Sequence, residues 1–271
     1  MSGLTKEGAY LNEKGELIEI YTKREKGKEI FLLKTETYDR PRAVAQTERL
    51  WEKALVKETK TDTAVHLVAK ESSEELLVFL MNRLKGQGVQ EAGIKDAKLL
   101  KGNELEAGFE KKGDALWLSG LQKKTFKIKR ENEKTIAKYG LNGKEYELKR
   151  CDRQSKYVAN KKAWNTALIE EKTTGLMVAV TRWDERGQTG NIALVKTSLG
   201  SMRMAKTTVI YALWEMKKKG ITKVTLTLHP ERGCREKAEM LYASLGFKPV
   251  ARSPMWTLDL GKAQMQKAYL K

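Results

Sequence analysis

The sequence predicts a mixed α+β fold whose C-terminal half has α/β character, preceded by a separate α+β domain. Strand-like and helix-like patterns alternate from residue 146 to residue 260, which is typical of a mixed central sheet flanked by helices. Residues 1–145 contain short strand-like runs separated by Gly- and Lys-rich turns, a pattern that favours an independent α+β unit. We therefore expect an N-terminal accessory domain at 1–145 and a second domain at 146–271.

The composition of the 271 residues is that of a globular protein, with 40% hydrophobic and 32% charged residues. No apolar run approaches the ~20 residues that a membrane helix needs, so we expect no membrane partner. The chain has two cysteines and two histidines, too few for a disulfide framework or a multi-histidine metal centre. The N-terminus lacks the apolar segment of a secretory signal. These features favour a cytoplasmic protein without a metal.

The net charge is strongly positive, at +18 for the whole chain. Residues 146–271 contain 24 basic and 11 acidic residues, a net charge of +13, and the first 145 residues carry the remaining +5. A field of this sign favours phosphate-bearing partners such as nucleotide cofactors, DNA or RNA. A solvated lysine-rich surface is the alternative interpretation.

The N-terminal half shows four local patterns. Alternating runs at 17–21 and 30–33 predict an antiparallel hairpin. Helical spacing predicts a helix at 42–57, and a β-branched run predicts a strand at 64–68. A capping box followed by an apolar run predicts a helix at 73–84. None of these patterns is a catalytic motif.

The C-terminal half has a more regular order of elements. A strand is followed by a polar, helix-compatible stretch at 153–162, and then by a hairpin that turns at Gly175. Later elements alternate in the order strand, helix, strand, helix, strand. Their predicted positions are 191–196, a helix that follows 198–205 and ends at Gly220, then 224–228, 235–245 and 256–260.

The helix at 235–245 carries the most specific sequence motif. Residues 238–247 read AEMLYASLGF, which is similar to the A-x-x-L-Y-x-x-L-G-F segment of the GNAT family of acyl-CoA-dependent N-acyltransferases. The order of strands and helices in this half also resembles that family. The resemblance covers about residues 146–260. It implies a GNAT-like fold and the use of acetyl-CoA or another acyl-CoA as co-substrate.

The resemblance also implies a site for the acyl donor where the strand at 191–196 leads into a helix. The family has Q/R-x-x-G-x-G/A at this turn, whereas this chain reads GSMRMA at 200–205, and only Ala205 matches. A helix N-terminus binds phosphate through backbone N–H groups, so the altered turn still fits a pyrophosphate. Arg235 stands where the family has Asn. The implied cofactor-binding residues are Leu194, Val195, Thr197, Gly200, Ser201, Met202, Arg203, Met204, Ala205, Lys206 and Arg235.

Two residues are implied to be catalytic. Tyr242 lies in the family motif at the position that protonates the departing CoA thiolate, and a phenol of pKa ~10 stays protonated at neutral pH. The alternative is a core tyrosine that packs on Phe247. His229 ends a strand close to the expected position of the acyl group and is the candidate general base. Other candidates for that role are Glu170, Glu171 and Asp184.

These patterns favour an acyl-CoA-dependent N-acyltransferase that acts on an acidic or nucleic-acid-associated acceptor, with DNA or RNA bound through the basic half. The alternative is a nucleic-acid-binding protein on a degenerate GNAT fold without catalysis. A third hypothesis concerns residues 1–145. They would be a decayed copy of the same fold that serves as a scaffold or a dimer interface.

Overall fold

The structure is a computed structural model of the chain. It describes residues 5–11, 17–25, 28–36, 51–58, 64–69, 74–95, 108–113, 115–128, 130, 133–154, 163–197, 201–228 and 235–263.

The chain divides into two compact units. Unit 1 comprises Met1–Arg130 together with Thr173–Leu176, and unit 2 comprises Glu131–Lys172 and Met177–Lys271. The division thus lies earlier than the boundary at 145 that the sequence suggested. The short turn Thr173–Leu176 belongs to unit 1, where the carbonyl of Thr174 accepts a hydrogen bond of 3.0 Å from the Asn82 side chain.

Within the described residues, unit 1 contains one eight-stranded sheet and one α-helix. The sheet has the order β1-β2-β3-β4-β5-β6-β8-β7. The elements are β1 Thr5–Leu11, β2 Leu17–Glu25, β3 Lys28–Glu36, β4 Trp51–Glu58, β5 Ala64–Ala69, α1 Glu74–Gly86, β6 Glu91–Lys95, β7 Glu110–Lys112 and β8 Ala115–Ser119.

The described part of unit 2 contains a second eight-stranded sheet with two α-helices. Its order is β9-β10-β11-β12-β13-β14-β16-β15. The elements are β9 Glu133–Leu141, β10 Lys144–Gln154, β11 Ala163–Glu171, β12 Met177–Arg186, β13 Thr189–Thr197, α2 Met202–Lys218, β14 Lys223–Thr227, α3 Arg235–Ser244, β15 Lys248–Pro249 and β16 Met255–Asp259.

The strand β9 explains the earlier division of the chain. It pairs with β10 through a two-residue turn at Asn142 and Gly143, whose φ angles of 50° and 74° are both positive. Positive φ at both central residues is the requirement of a type I′ hairpin turn. A boundary at 145 would separate two strands of one hairpin.

Two predicted helices differ from the structure. Residues 51–57 of the predicted helix at 42–57 form the strand β4, which pairs with β3 on one side and β5 on the other. Strand pairing overrides the local helical pattern here. Without β4, the backbone N–H and C=O groups along the facing edges of β3 and β5 would have no strand partner. Arg153 and Gln154 likewise extend β10 rather than start a helix, since they pair with β11. Residues 42–50 and 155–162 lie outside the described residues.

The other predicted elements are confirmed with small changes of length. The N-terminal hairpin consists of β2 and β3, and the predicted helix at 73–84 is α1. The hairpin around Gly175 consists of β11 and β12, followed by β13, α2, β14, α3 and β16 in the predicted order. The C-terminal half is therefore a mixed central sheet with helices, as the sequence predicts.

The core of unit 1 is built around α1, which is apolar on almost every side. All residues from Leu76 to Met81 are buried. A helix that is hydrophobic all round belongs in a protein interior. Its side chains join a cluster with Tyr10, Ile18 and Ile20 from β1 and β2. Burial of this helix therefore holds the first sheet together.

The core of unit 2 lies on one face of its sheet. Leu148, Ile169 and Trp183 from three adjacent strands join the same cluster as α2 residues such as Val209 and Leu213. Because side chains alternate along a strand, the neighbours of these residues point to the opposite face. The helices α2 and α3 both contribute side chains to this cluster.

Candidate functional site

The parallel strands β13 and β14 separate partway along their length. Their pairing runs from Thr189 opposite Lys223 to Ile192 opposite Leu226. The strand β13 continues to Thr197, still paired with β12 on its other side. Residues 193–197 therefore have one backbone edge without a strand partner among the residues that the structure describes.

A β-bulge lies at the point where the two strands separate. On β12 the consecutive residues Arg182 and Trp183 pair with Leu194 and Ile192, so that Ala193 is the extra residue on β13. A bulge bends its strand and increases the local twist, and bulges are frequent beside active sites. The bend at Ala193 therefore accounts for the opening between β13 and β14.

Predicted cofactor-binding residues line this opening. Leu194, Val195 and Thr197 are all half-buried and follow the bulge directly. Val195 packs against the hydrophobic core of unit 2. A free strand edge offers backbone N–H and C=O groups to an extended ligand in the way that a missing strand would.

The helix α2 begins beyond the carboxyl end of β13. Ser201 is its N-cap, and its Oγ accepts a hydrogen bond of 3.4 Å from the amide of Met204. The amides of Met202 and Arg203 have no acceptor within the described part of the chain. No acidic residue lies in the first turn. This end of the helix has the free N–H groups and the positive dipole end that attract an anion.

The predicted residues of α2 divide into two groups. Arg203 is exposed and Lys206 is half-buried, and neither forms an ion pair with any described residue. Met204 and Ala205 are buried in the core. The side chains of these two residues are therefore part of the interior, and only their backbone groups are available to a ligand. Gly200 lies outside the described residues.

The helix α3 follows β14 as α2 follows β13. Its first residue, Arg235, is exposed and forms an ion pair of 2.8 Å with Glu239 one turn later. Because β13 and β14 are parallel, both strands run toward the same end of the sheet, and each is followed along the chain by one of the two helices. Ligands of open α/β sheets bind beyond the carboxyl ends of strands. His229 falls in the connection to α3, outside the described residues.

Tyr242 lies in the core at the inner side of α3. It is 7% exposed, and its ring meets that of Phe247 edge-on at a centroid distance of 5.9 Å. Its hydroxyl forms no hydrogen bond with another described residue. Burial raises the pKa of Tyr242 to about 12. The phenol therefore keeps its proton at neutral pH, as a general acid requires.

The three candidate carboxylates have different surroundings. Glu170 is buried and accepts a hydrogen bond of 2.5 Å from Lys149. Glu171 pairs with Lys144 at 3.1 Å. Asp184 lies on β12 opposite Asn191, in the part of β13 that is still paired with β14, and directly follows Trp183, which is opposite the last residue before the bulge.

Two features of this region have no recognisable signal in the sequence. The run from Ile192 to Lys196 reads as an uninterrupted strand, and nothing in it identifies Ala193 as a bulge. Thr208 looks like an ordinary helical residue. Its hydroxyl nevertheless donates a hydrogen bond of 2.9 Å to the carbonyl of Ala205 and contacts Thr181 on β12.

Within the described ranges, no three His, Cys, Asp or Glu side chains group so that they could hold a metal ion. None of the helices found there is long and apolar enough to cross a membrane.

Comparisons with known proteins give partial likenesses. No protein-family model matches the chain, and no curated protein matches it. A GNAT-family acetyltransferase from Staphylococcus aureus Mu50 is 12% identical, covers 36% of this chain and 68% of its own, and has a TM-score of 0.31. The ribosomal-protein-S18-alanine N-acetyltransferase of Escherichia coli is 15% identical, covers 37% of this chain and 72% of its own, and has a TM-score of 0.30.

A third solved structure is the PaiA N-acetyltransferase of Thermoplasma acidophilum in complex with coenzyme A. It is 16% identical, covers 35% of this chain and 60% of its own, and has a TM-score of 0.29. Over about a third of its length, this chain is thus similar to acetyltransferases that include a member of the GNAT family, the family that its C-terminal half resembles in sequence.

Proposed function

We propose that unit 2 is an acyl-CoA-dependent N-acyltransferase. The observation that carries the proposal is the separation of β13 from β14 at the Ala193 bulge, next to the start of α2. It provides a strand edge with which β14 does not pair and, close to it in sequence, a helix N-terminus. These are the two features that an extended amide-containing chain ending in a pyrophosphate would use.

The residues present fit coenzyme A in chemistry and in order along the chain. The pantetheine arm contains two amides, which match the backbone edge that β13 presents beyond Ile192, where β14 no longer pairs with it. The pyrophosphate carries negative charge, which matches the free amides of Met202 and Arg203 and the cationic side chains of Arg203 and Lys206. A cation in the first turn of a helix opposes the dipole, and a bound phosphate would offset that cost.

The chemistry of transfer needs an acyl thioester, an amine and a proton donor. The co-substrate supplies an electrophilic acyl carbon on a thiolate leaving group. Tyr242, protonated at neutral pH, would donate its phenolic proton to the thiolate sulfur as the carbon–sulfur bond breaks. The amine must lose a proton. Asp184 directly follows Trp183, the β12 residue opposite the last residue before the bulge, and is the carboxylate we propose to accept it, with His229 as the alternative from the sequence.

The proposed acceptor carries negative charge or is associated with nucleic acid. The net charge of +13 for residues 146–271 supports this acceptor class. Arg203 and Lys206 add local positive charge beside the opening. The second candidate function is nucleic-acid binding without catalysis, favoured by the same charge.

Isothermal titration with coenzyme A is the first test of the donor site. We expect binding by the wild-type chain and a loss of about tenfold in affinity for Arg203→Glu, the scale of one charge-assisted hydrogen bond. Lys223→Glu is the matched control, because Lys223 is exposed and starts β14 at the opposite end of the parallel pair. Equal losses in both variants would indicate a general charge effect instead of a phosphate site.

The second test measures release of free coenzyme A from acetyl-CoA with panels of amines. The panels contain acidic peptides with free N-termini, neutral peptides, polyamines, RNA and DNA. We expect turnover with an anionic amine acceptor and its loss in Asp184→Asn. A chain that binds nucleic acid in a salt-dependent way but neither binds coenzyme A nor releases it would instead be the non-catalytic alternative.

A further inference from the structure

The two units have the same sheet topology. The strand orders β1-β2-β3-β4-β5-β6-β8-β7 and β9-β10-β11-β12-β13-β14-β16-β15 correspond strand by strand. Every pair of neighbours is antiparallel except β5 with β6 and β13 with β14, which are parallel. One described helix connects each parallel pair, α1 in unit 1 and α2 in unit 2. In both units the last strand along the chain pairs between the two strands that precede it: β8 lies between β6 and β7, and β16 lies between β14 and β15.

The units also share an irregularity that this topology does not require. Between β1 and β2 the register shifts at Glu7, the extra residue between Lys6 and Gly8. Between β9 and β10 the register shifts in the same way at Ile136. In both cases the bulge lies on the first strand of the unit.

Identical residues occupy equivalent positions in the two units when positions are counted from this bulge. Tyr10 and Tyr139 each lie on the first strand after the bulge, opposite the core-facing residues Ile18 and Tyr146 of the second strand. The next residue of the second strand is a buried glutamate in both units, Glu19 and Glu147, and each forms an ion pair with a lysine. Shared topology, a shared bulge and shared residues indicate that the two units are copies of one fold.

The copies differ at the parallel pair. In unit 2 the pairing stops at Ile192 and the bulge at Ala193 opens the sheet. In unit 1, β5 and β6 pair from Ala64 opposite Glu91 to Val68 opposite Lys95, which is all of β5 except its last residue. The register between β4 and β5 has no shift. Over the part of β5 that the structure describes, the first copy therefore has no counterpart of the Ala193 bulge.

The helices after the parallel strands differ in charge. The first turn of α1 contains Glu74 and Glu75, whereas the first turn of α2 contains no acidic residue and includes Arg203. Carboxylates at a helix N-terminus satisfy its dipole and repel a second anion. A pyrophosphate would thus be attracted to the start of α2 and repelled from the start of α1.

We propose that this chain is a duplication of one acyltransferase-type fold, in which unit 2 retains the acyl-donor cleft and unit 1 has lost it. The proposal rests on the donor site proposed above. It assigns unit 1 a non-catalytic role and limits the chain to one donor site, although the fold is present twice.

The test is titration of the full chain with coenzyme A, combined with hydrogen exchange read by mass spectrometry. We expect a stoichiometry of one coenzyme A per chain. Amides at 193–206 should exchange more slowly when the ligand is bound, and amides at 64–80 should exchange at an unchanged rate. Arg203→Glu should weaken the binding, and its counterpart Glu75→Arg in unit 1 should leave both affinity and stoichiometry unchanged.

The outcomes separate this proposal from the one on which it rests. Two coenzyme A molecules per chain, or slowed exchange at 64–80, would overturn the loss of the cleft in unit 1 while leaving the donor site of unit 2 intact. No binding at all would overturn the donor site itself and, with it, the assignment of a retained cleft.

Discussion

The hydroxyl groups of Thr181 and Thr208 are hydrogen-bonded at 2.7 Å between the strand β12 and the helix α2. The Thr208 hydroxyl donates to the carbonyl of Ala205 at 2.9 Å, so Thr181 is the donor of the bond between the two threonines. Both residues are fully buried. This contact fixes the first turns of α2 against the sheet and sets the position of the proposed anion site.

Replacing Thr208 by valine should therefore destabilise unit 2. Valine keeps the shape but leaves the buried Thr181 hydroxyl without its acceptor, at a cost of about 1–3 kcal/mol. The double variant Thr181→Val/Thr208→Val should recover most of this loss, because replacing both partners by apolar groups is nearly neutral. Urea unfolding of the three proteins measures the difference. A double variant less stable than Thr208→Val would contradict this account.

Gly190 and Met216 provide the second prediction. A Cβ atom on Gly190 would overlap the Sδ of Met216, which is fully buried on α2. Gly190→Ala should therefore cost about 1–3 kcal/mol of unfolding free energy, the usual scale of overpacking. Adding Met216→Ala would remove the clash but create a cavity. We expect the two substitutions together to cost less than the sum of the single effects, measured as a double-mutant cycle. Simple additivity would show that the overlap is relieved elsewhere.

A buried ion cluster provides the third prediction. Lys149 lies between Glu133 and Glu170 at 2.5 Å from each, with Glu147 at 3.4 Å. Burial lowers the pKa of Lys149, but the carboxylates of Glu170 and Glu133 outweigh that effect and raise it overall. The ammonium therefore stays charged at neutral pH.

Lys149→Met would leave these carboxylates without their cation in the interior. We expect a loss of about 3–5 kcal/mol at neutral pH, the scale for breaking a buried pair by removing one partner. Lowering the pH should reduce the deficit, because the freed carboxyl groups take up protons. Equilibrium unfolding at a series of pH values checks both statements. A deficit independent of pH would mean that lost packing rather than charge is responsible. Lys144→Met serves as the exposed control, since Lys144 pairs with Glu171 at the surface.

Tyr242→Phe tests the proposed general acid. The substitution keeps the ring that packs on Phe247 and removes only the proton donor, so turnover should fall by ~10²-fold with little loss of stability. Phe247→Leu is the packing control, which should lower stability more than turnover. Unchanged turnover in Tyr242→Phe would show that the tyrosine is structural.

The raised pKa of Tyr242 determines how the turnover of the wild-type protein and of Tyr242→Phe should depend on pH. Because burial moves the pKa of Tyr242 to about 12, the phenol is protonated throughout the range from about pH 7 to about pH 10. The ratio of wild-type to Tyr242→Phe turnover should therefore be constant over that range. The folded protein holds this proton more tightly than the unfolded chain, so the group's contribution to stability is complete below about pH 10 and is lost as the pH rises through 12. A ratio that falls between about pH 7 and pH 9 would assign the proton to a more acidic group.

The sequence alone determined the parts of this protein that depend on local pattern. The spacing of apolar residues predicted α1, α2 and α3, and the alternating runs around Gly175 predicted the hairpin of β11 and β12. The dipeptide Asn142–Gly143 is typical of a tight hairpin turn, because both residue types accept positive φ, and the structure has the turn there. The segment at 238–247 resembles the GNAT family motif. Its tyrosine, Tyr242, lies on α3, and its hydroxyl forms no hydrogen bond with another described residue.

Only the tertiary structure decided the parts that depend on partners distant in sequence. Residues 51–57 follow a helical pattern but became a strand, because β3 and β5 each offered a free edge to be paired. Ala205 matched the family motif, yet its side chain lies in the core and leaves only its backbone to a ligand. The bulge at Ala193 is a shift of register between two strands, β12 and β13. The similarity of the two units is visible in the order in which their strands pair. Neither can be read from one segment, since each is a relation between segments that the chain brings together when it folds.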